Sequence, residues 1–231
     1  MLPGGARRFF TQPLLLSLLA VDLAFLVAHV WFWSRGRVPN DWNLGVDGSL
    51  PEKFQYAKWF ICEAFCAWAF ARVREPLYLA WAALFCYFLL DDSQNVHEQL
   101  GWSIAERLEL VPAFGLRAKD FGELAVSLIA GVVLLGLIAL CYWRSANGPA
   151  RSLTRALLPW LCLLVFSGVG LDMGLRQIRV QGGKLVSLIG RILEDGGEMV
   201  AASLLTVTIV LAVVGSGRSA DGAIGRPRSP P

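Results

Sequence analysis

Two short stretches hold seven of the chain's twenty Asp, Glu and His residues, the side chains able to hold an ion or pass a proton. One is Leu90-Asp91-Asp92 followed after four residues by His97-Glu98, and the other is Leu193-Glu194-Asp195-Gly196-Gly197-Glu198-Met199. Carboxylates joined by one or two imidazoles suit a divalent ion such as Mg, Mn, Zn or Fe. They equally suit a proton or cation relay, in which crowding raises carboxyl pKa values. Asp91 and Glu98 are seven apart and share a helix face with Asn95 between them; Glu194 and Glu198 are four apart, with Asp195 beside them. Asp91, Asp92, His97, Glu98, Glu194, Asp195 and Glu198 are therefore candidate ligands for a divalent metal ion. Asp22 and His29, seven apart in an apolar run, join Glu63, Glu123 and Asp172 as candidate relay groups. The pattern assigns no catalytic residue and does not name the ion.

Those groups are carried by an unusually apolar chain. Of 231 residues, 55% are hydrophobic and 17% charged, and the mean hydropathy is +0.53, whereas a soluble domain is about a quarter charged. Apolar runs fall at 13–33, 54–71, 77–94, 121–143, 156–174 and 194–214. Their lengths and the Trp and Phe residues at their ends predict an all-α fold, a polytopic transmembrane helical bundle of about six spans over residues 1–214. Residues 215–231, rich in Gly, Ser, Arg and Pro, read as a disordered tail. Arg7-Arg8 loosely resembles a twin-arginine signal, but the run from Pro13 to Trp33 is too long for a signal h-region and reads as an uncleaved first span. The 34–53 loop, with Pro39, Gly45, Gly48 and Pro51, reads as irregular and exposed. There is no internal repeat.

Orientation follows from charge density. Arg7, Arg8, Arg72, Arg74, Arg144, Arg151, Arg155, Arg218, Arg226 and Arg228 fall in the segments on the N-terminal side. The positive-inside rule then sets both termini inside, as in a bacterial-type inner membrane. In an up-down bundle the ends of odd spans and the starts of even spans share a face. Asp91, Asp92, His97, Glu98, Asp120, Glu123, Asp172, Glu194, Asp195 and Glu198 all converge on the outer one. The uncharged core of the third span, Leu77 to Leu90, is fourteen residues, about 21 Å against a hydrocarbon core near 30 Å. To cross fully, that helix extends through its acids, and ionisable groups at bilayer depth carry function by default. A locally thinner bilayer is the bland solution to the same mismatch.

Several features have plainer readings. Glu194-Asp195 are favourable N-terminal charges for a helix, and Gly196, Gly197 and Gly170-x-x-x-Gly174 suit close helix contact. Asp120 and Glu109 read as solvated loop residues. Cys62, Cys66, Cys86, Cys141 and Cys162 read as small apolar fillers with no CxxC pair. A net charge of +3 with no basic aromatic stretch excludes nucleic acid as a partner. There is no Walker A loop and no Gly-x-Ser-x-Gly elbow, and two histidines exclude a three-His zinc site.

The Leu90–Glu98 and Leu193–Met199 motifs, with Trp42-Asn43 and Asp120-Phe121-Gly122-Glu123, resemble a group of uncharacterised bacterial multispan membrane proteins. That resemblance covers most of the chain from about residue 42 and implies a multispan fold but no activity. Arg117-Ala118-Lys119-Asp120-x-Gly122, and Asp92-x-x-Asn95, are locally similar to the bacterial diacylglycerol kinase family. That family has half this length, three spans and a cytoplasm-facing site. Three classes of function follow: cation binding or cation/proton-coupled transport, a metal-dependent enzyme acting on a lipid-type substrate, and a non-catalytic subunit or assembly factor. The lipid bilayer is a partner in all three, with a membrane-protein partner or a second copy in the last. A transporter needs a polar path, an enzyme a pocket open to lipid, and a subunit acids matched by bases.

Overall fold

The computed structural model describes residue 9 and residues 12–224. Those residues are almost entirely helical: α1 (Pro13–Ser34), α2 (Leu50–Val73), α3 (Pro76–Gln94), α4 (Val96–Arg107), α5 (Ala118–Arg144), α6 (Gly148–Val165), α7 (Asp172–Gln181) and α8 (Gly183–Ile224). Proline in the first turn starts α1, α2, α3 and α6, where its missing N–H costs nothing. Arg74 turns left-handed at φ 56° to end α2, and Pro76 restarts the chain as α3 two residues later.

Four stretches are long and apolar enough to cross a membrane: Pro13–Ser34, Ala118–Arg144, Gly148–Leu175 and Gly183–Gly215. The second and third expected spans are α2 and α3, which do not meet that standard by themselves. α2 carries Glu52, Lys53, Lys58, Glu63 and Arg72, and α3 ends in Asp91 and Asp92. They pack along each other more extensively than any other pair of helices.

Three details depart from the sequence expectation. The long connection after the third run contains a helix of its own, α4. The fifth run holds a six-residue π-helical segment, Phe166–Leu171, between α6 and α7. α8 starts eleven residues before the sixth run and continues through Ile224, into the stretch read as a tail, while residues 225–231 lie outside the described part. A helix once nucleated adds residues at little cost, so weak formers at its end need not stop it.

α8 is the axis of the bundle, contacting α1, α2, α6, α7 and the π-helical segment. The main core is built from Trp59, Cys62 and Cys66 of α2, Trp81 and Phe85 of α3, Leu157 and Leu161 of α6, and Ala201, Leu205 and Ile209 of α8. Trp59 and Trp81 stack on either side of Phe85, with centroids 6.1 and 5.8 Å away. The buried Trp81 indole donates to Thr154 Oγ1 at 2.9 Å, which gives its polar edge the partner a buried ring needs.

Candidate functional site

The most polar point in the core is an ion pair among α1, α2 and α8. Lys58 Nζ lies 2.7 Å from Asp22 Oδ1, with both side chains 1% exposed. Its ammonium also donates to the Met199 carbonyl at 3.0 Å and to Ser203 Oγ at 3.2 Å, and lies 4.7 Å from the centre of the Phe54 ring. Ser203 Oγ in turn donates to Asp22 Oδ2 at 2.5 Å. Every donor of Lys58 is therefore placed, and both oxygens of Asp22 are engaged. One turn further along α8, Thr206 commits its proton to the Ala202 carbonyl, which leaves the Cys62 thiol to donate to Thr206 Oγ1 at 3.3 Å. Beyond that pair Cys66, Leu157, Leu205 and Ile209 close the core.

Next to this pair along α8 sits a carboxylate tier. Asp195, Asp92, Glu194 and Asp172 lie within electrostatic range of Glu198, so acids of the third, fifth and sixth runs share one region of the bundle. Asp92 Oδ2 accepts from the Trp59 indole at 2.7 Å, and Tyr56 donates to the Asp92 carbonyl at 2.9 Å. Trp59 follows Lys58 directly in α2, so one helix holds both the ion pair and the tier. Glu198 packs on the π-helical segment: a Cβ at Gly168 would lie 2.4 Å from Glu198 Oε1, and one at Gly197 would lie 2.4 Å from Ser167 Oγ. A side chain at either position would have to displace Glu198 or Ser167, so the two glycines favour this close approach of α8 to the segment. π-Helical turns recur at functional sites.

The other candidate residues are engaged elsewhere. Asp91 turns away from Asp92: its Oδ1 accepts from the His97 backbone N–H at 2.8 Å, and its Oδ2 lies 3.0 Å from His97 Nδ1. The Asp91 carboxylate bonded to the ring raises the His97 pKa above the ordinary histidine value, against an opposing effect of burial. Glu98 and Glu123 share Lys119, at 3.9 and 2.9 Å. Asp195 lies 3.7 Å from Arg191. His29 is buried, accepts from the Leu44 N–H at 3.3 Å and meets the Trp42 carbonyl, so its neutral ring pins the first loop to α1. Glu63 is half-buried and stands apart from the tier, facing the Cys86 thiol. Asp120 corrects its reading as a solvated loop residue. It is fully buried, accepts the Arg117 N–H at 2.7 Å and holds the Arg117 guanidinium at 3.0 Å, capping α5.

Among the described residues, no three His, Cys, Asp or Glu side chains are grouped so as to hold a metal ion. The candidate ligands meet in smaller sets, several of them with a base in place. Sequence reasoning missed Lys58 and the loop acid Asp47, which accepts from Asn95 at 2.6 Å. Lys58 had a signal: Gln55, Lys58, Cys62, Cys66 and Ala69 form one helical stripe, all of it buried.

The fold and the site together define an all-helical protein with four stretches fit to cross a membrane and charged side chains buried between its helices. The chain belongs to the family described as a domain of unknown function, DUF8692, whose model matches residues 53–214. No curated protein and no solved structure matches it. The matched region includes Lys58, Asp92, Glu198 and Ser203, while Asp22 comes from α1 outside it.

Proposed function

We propose that the protein crosses a bacterial-type inner membrane six times with both termini inside, and couples proton binding on its outer face to movement of the bundle, as a cation/proton-coupled transporter does. The observation that carries this reading is the buried Lys58–Asp22 pair beside a tier of carboxylates. A scaffold gains little from such a pair, because desolvating two charges offsets most of their attraction. Ionisable groups buried in a membrane bundle are characteristic of ion and proton pathways.

The chemistry favours protons as the exchanged ion. Asp92 and Glu198 cannot both stay ionised beside Asp172, Glu194 and Asp195 without compensating charge. Arg191 supplies part of it at Asp195, and we assign the exchanged proton to Glu198, which rests on the π-helical segment at Gly168. Glu198 is followed in sequence by Met199, whose carbonyl accepts from Lys58, and it rests on Gly168 of the π-helical segment. A change in its charge is thus felt both at the ion pair and at α6. The polar track runs from the tier to Lys58 and stops at Cys62 and Thr206. That is one side's access to a mid-bundle site, as alternating access requires. Ser203 and Lys58 do not form a nucleophile–base dyad, since Ser203 gives its proton to Asp22, the ammonium is held by that carboxylate, and Ser203 is fully buried.

Two experiments test these claims. Reporter fusions at Gly148 and Gly182 should report inside and outside respectively, and the same answer at both would end the six-span arrangement. Protein in liposomes loaded with a pH dye should acidify the lumen when a potassium diffusion potential makes it negative. Glu198→Gln should fall to the rate of empty liposomes, while Asp41→Asn in the loop keeps the wild-type rate. No flux from folded wild-type protein would move the reading to a non-catalytic subunit. A thermal shift with one divalent ion, lost in both Glu198→Gln and Asp92→Asn, would move it to metal binding.

A further inference from the structure

α5 and α6 are joined by only three residues, 145–147, yet they make almost no contact with each other. Between them lies a groove of about 770 Å³ whose walls are nearly all apolar, including Ile138 and Ala139 of α5, Leu158 and Leu161 of α6, and Phe166 of the π-helical segment. Its long side, Arg155 to Gly170, spans fifteen residue steps, or about 22 Å of helix. Walls so uniformly apolar over that length suit a hydrocarbon chain lying along the helices. The groove length matches one leaflet, about half of a 30 Å hydrocarbon core, plus the adjoining interfacial layer.

One end of the groove has a different character. Arg155, Tyr142 and Trp143 line it there, with Arg151 stacked over Tyr142 at 4.6 Å. The Arg155 guanidinium is exposed and has no carboxylate within ion-pair reach among the described residues. This end belongs to the arginine-rich loop that charge density assigns to the inner face. Thr154, which also lines the groove, is already occupied by Trp81 and the Ala150 carbonyl.

We infer that the α5–α6 groove binds an anionic phospholipid of the inner leaflet, an acyl chain lying along Ile138, Ala139 and Leu161 and the headgroup phosphate meeting Arg155. An empty apolar slot facing lipid would forfeit contacts along both walls, and the free guanidinium selects the charged headgroup. The inference uses no residue of the carboxylate tier and stands apart from the proton-coupled reading.

Delipidated protein in neutral detergent should be stabilised against heat by phosphatidylglycerol more than by phosphatidylcholine with the same chains, and not by inorganic phosphate. A ligand that binds only the folded state raises its stability with concentration. Arg155→Ala should weaken phosphatidylglycerol binding about fivefold, to the level of the neutral lipid, as loss of one interfacial charge implies. Ala139→Trp, which fills the slot, should abolish the shift with both lipids; should that variant not fold, Leu158→Trp serves in its place, with retained lipid counted by native mass spectrometry. Equal shifts from the two lipids in wild-type protein, a shift from inorganic phosphate alone, or full lipid retention in a folded groove-filling variant would each overturn the inference.

Discussion

Lys58→Met is expected to be the most damaging single substitution in the bundle, lowering stability by about 3–5 kcal/mol, because it leaves Asp22 buried among apolar side chains without its counter-ion. The geometry makes the loss hard to avoid. Asp22 is 1% exposed and, among the described residues, has only Ser203 as its other side-chain partner. Removing both charges together changes the sign of the argument, since a buried pair replaced by apolar groups of similar size is often neutral or stabilising. Asp22→Leu combined with Lys58→Met should therefore recover most of the loss in a thermal or denaturant melt. A double variant no more stable than Lys58→Met would show that the pair does not act as a unit. If the double variant is stable but moves no protons, the pair is there for function.

The second large effect is expected at the crossing of α4 and α5. A Cβ on Gly122 would lie 2.0 Å from the Gly101 carbonyl oxygen, and one on Gly101 would lie 2.5 Å from the Glu123 nitrogen. Both obstacles are backbone, so neither can rotate aside. Gly122→Val should cost about 3 kcal/mol or open the crossing, separating Lys119 and Glu123 from Glu98. Gly131→Ala and Gly136→Ala in the same helix meet nothing within 4 Å and should be neutral or gain up to about 1 kcal/mol of helix propensity. Equal melting points for Gly122→Val and these two controls would refute the close approach.

How far the sequence led can be judged residue by residue. Asp22 and His29 stand seven apart in an apolar run, and both are buried, because a seven-residue step returns to nearly the same helix face. The apolar runs located the helices for the same reason of periodicity. Asp91 and Asp92 show where this logic weakens. As a motif they read as one acidic unit, but neighbouring residues on a helix diverge by about 100°. Asp91 consequently goes to His97 and Asp92 to Trp59. The partner of Asp22 lies thirty-six residues away, and only the packing of α1 against α2 and α8 decides such a pairing. The contact of Asn95 with Asp47 joins a helix end to an irregular loop, where no period exists to be read. Asp120 was misread because a charge before an apolar run signals a cap as readily as a loop, and only the Arg117 backbone distinguishes the two.

The Lys58–Asp22 pair also bears on how the chain enters the bilayer in the first place. α1 is apolar enough to insert by itself, whereas α2, with five charged residues, is not among the segments that meet that standard. On the six-span arrangement α1 reaches the membrane first, carrying a carboxylate with no mate, and Lys58 emerges from the ribosome thirty-six residues later. Each segment then relieves the other: Asp22 gives Lys58 a reason to leave water, and Lys58 removes the penalty of leaving Asp22 in lipid. On that arrangement α2 enters the membrane as the second half of a pair, its topology following from the helix before it.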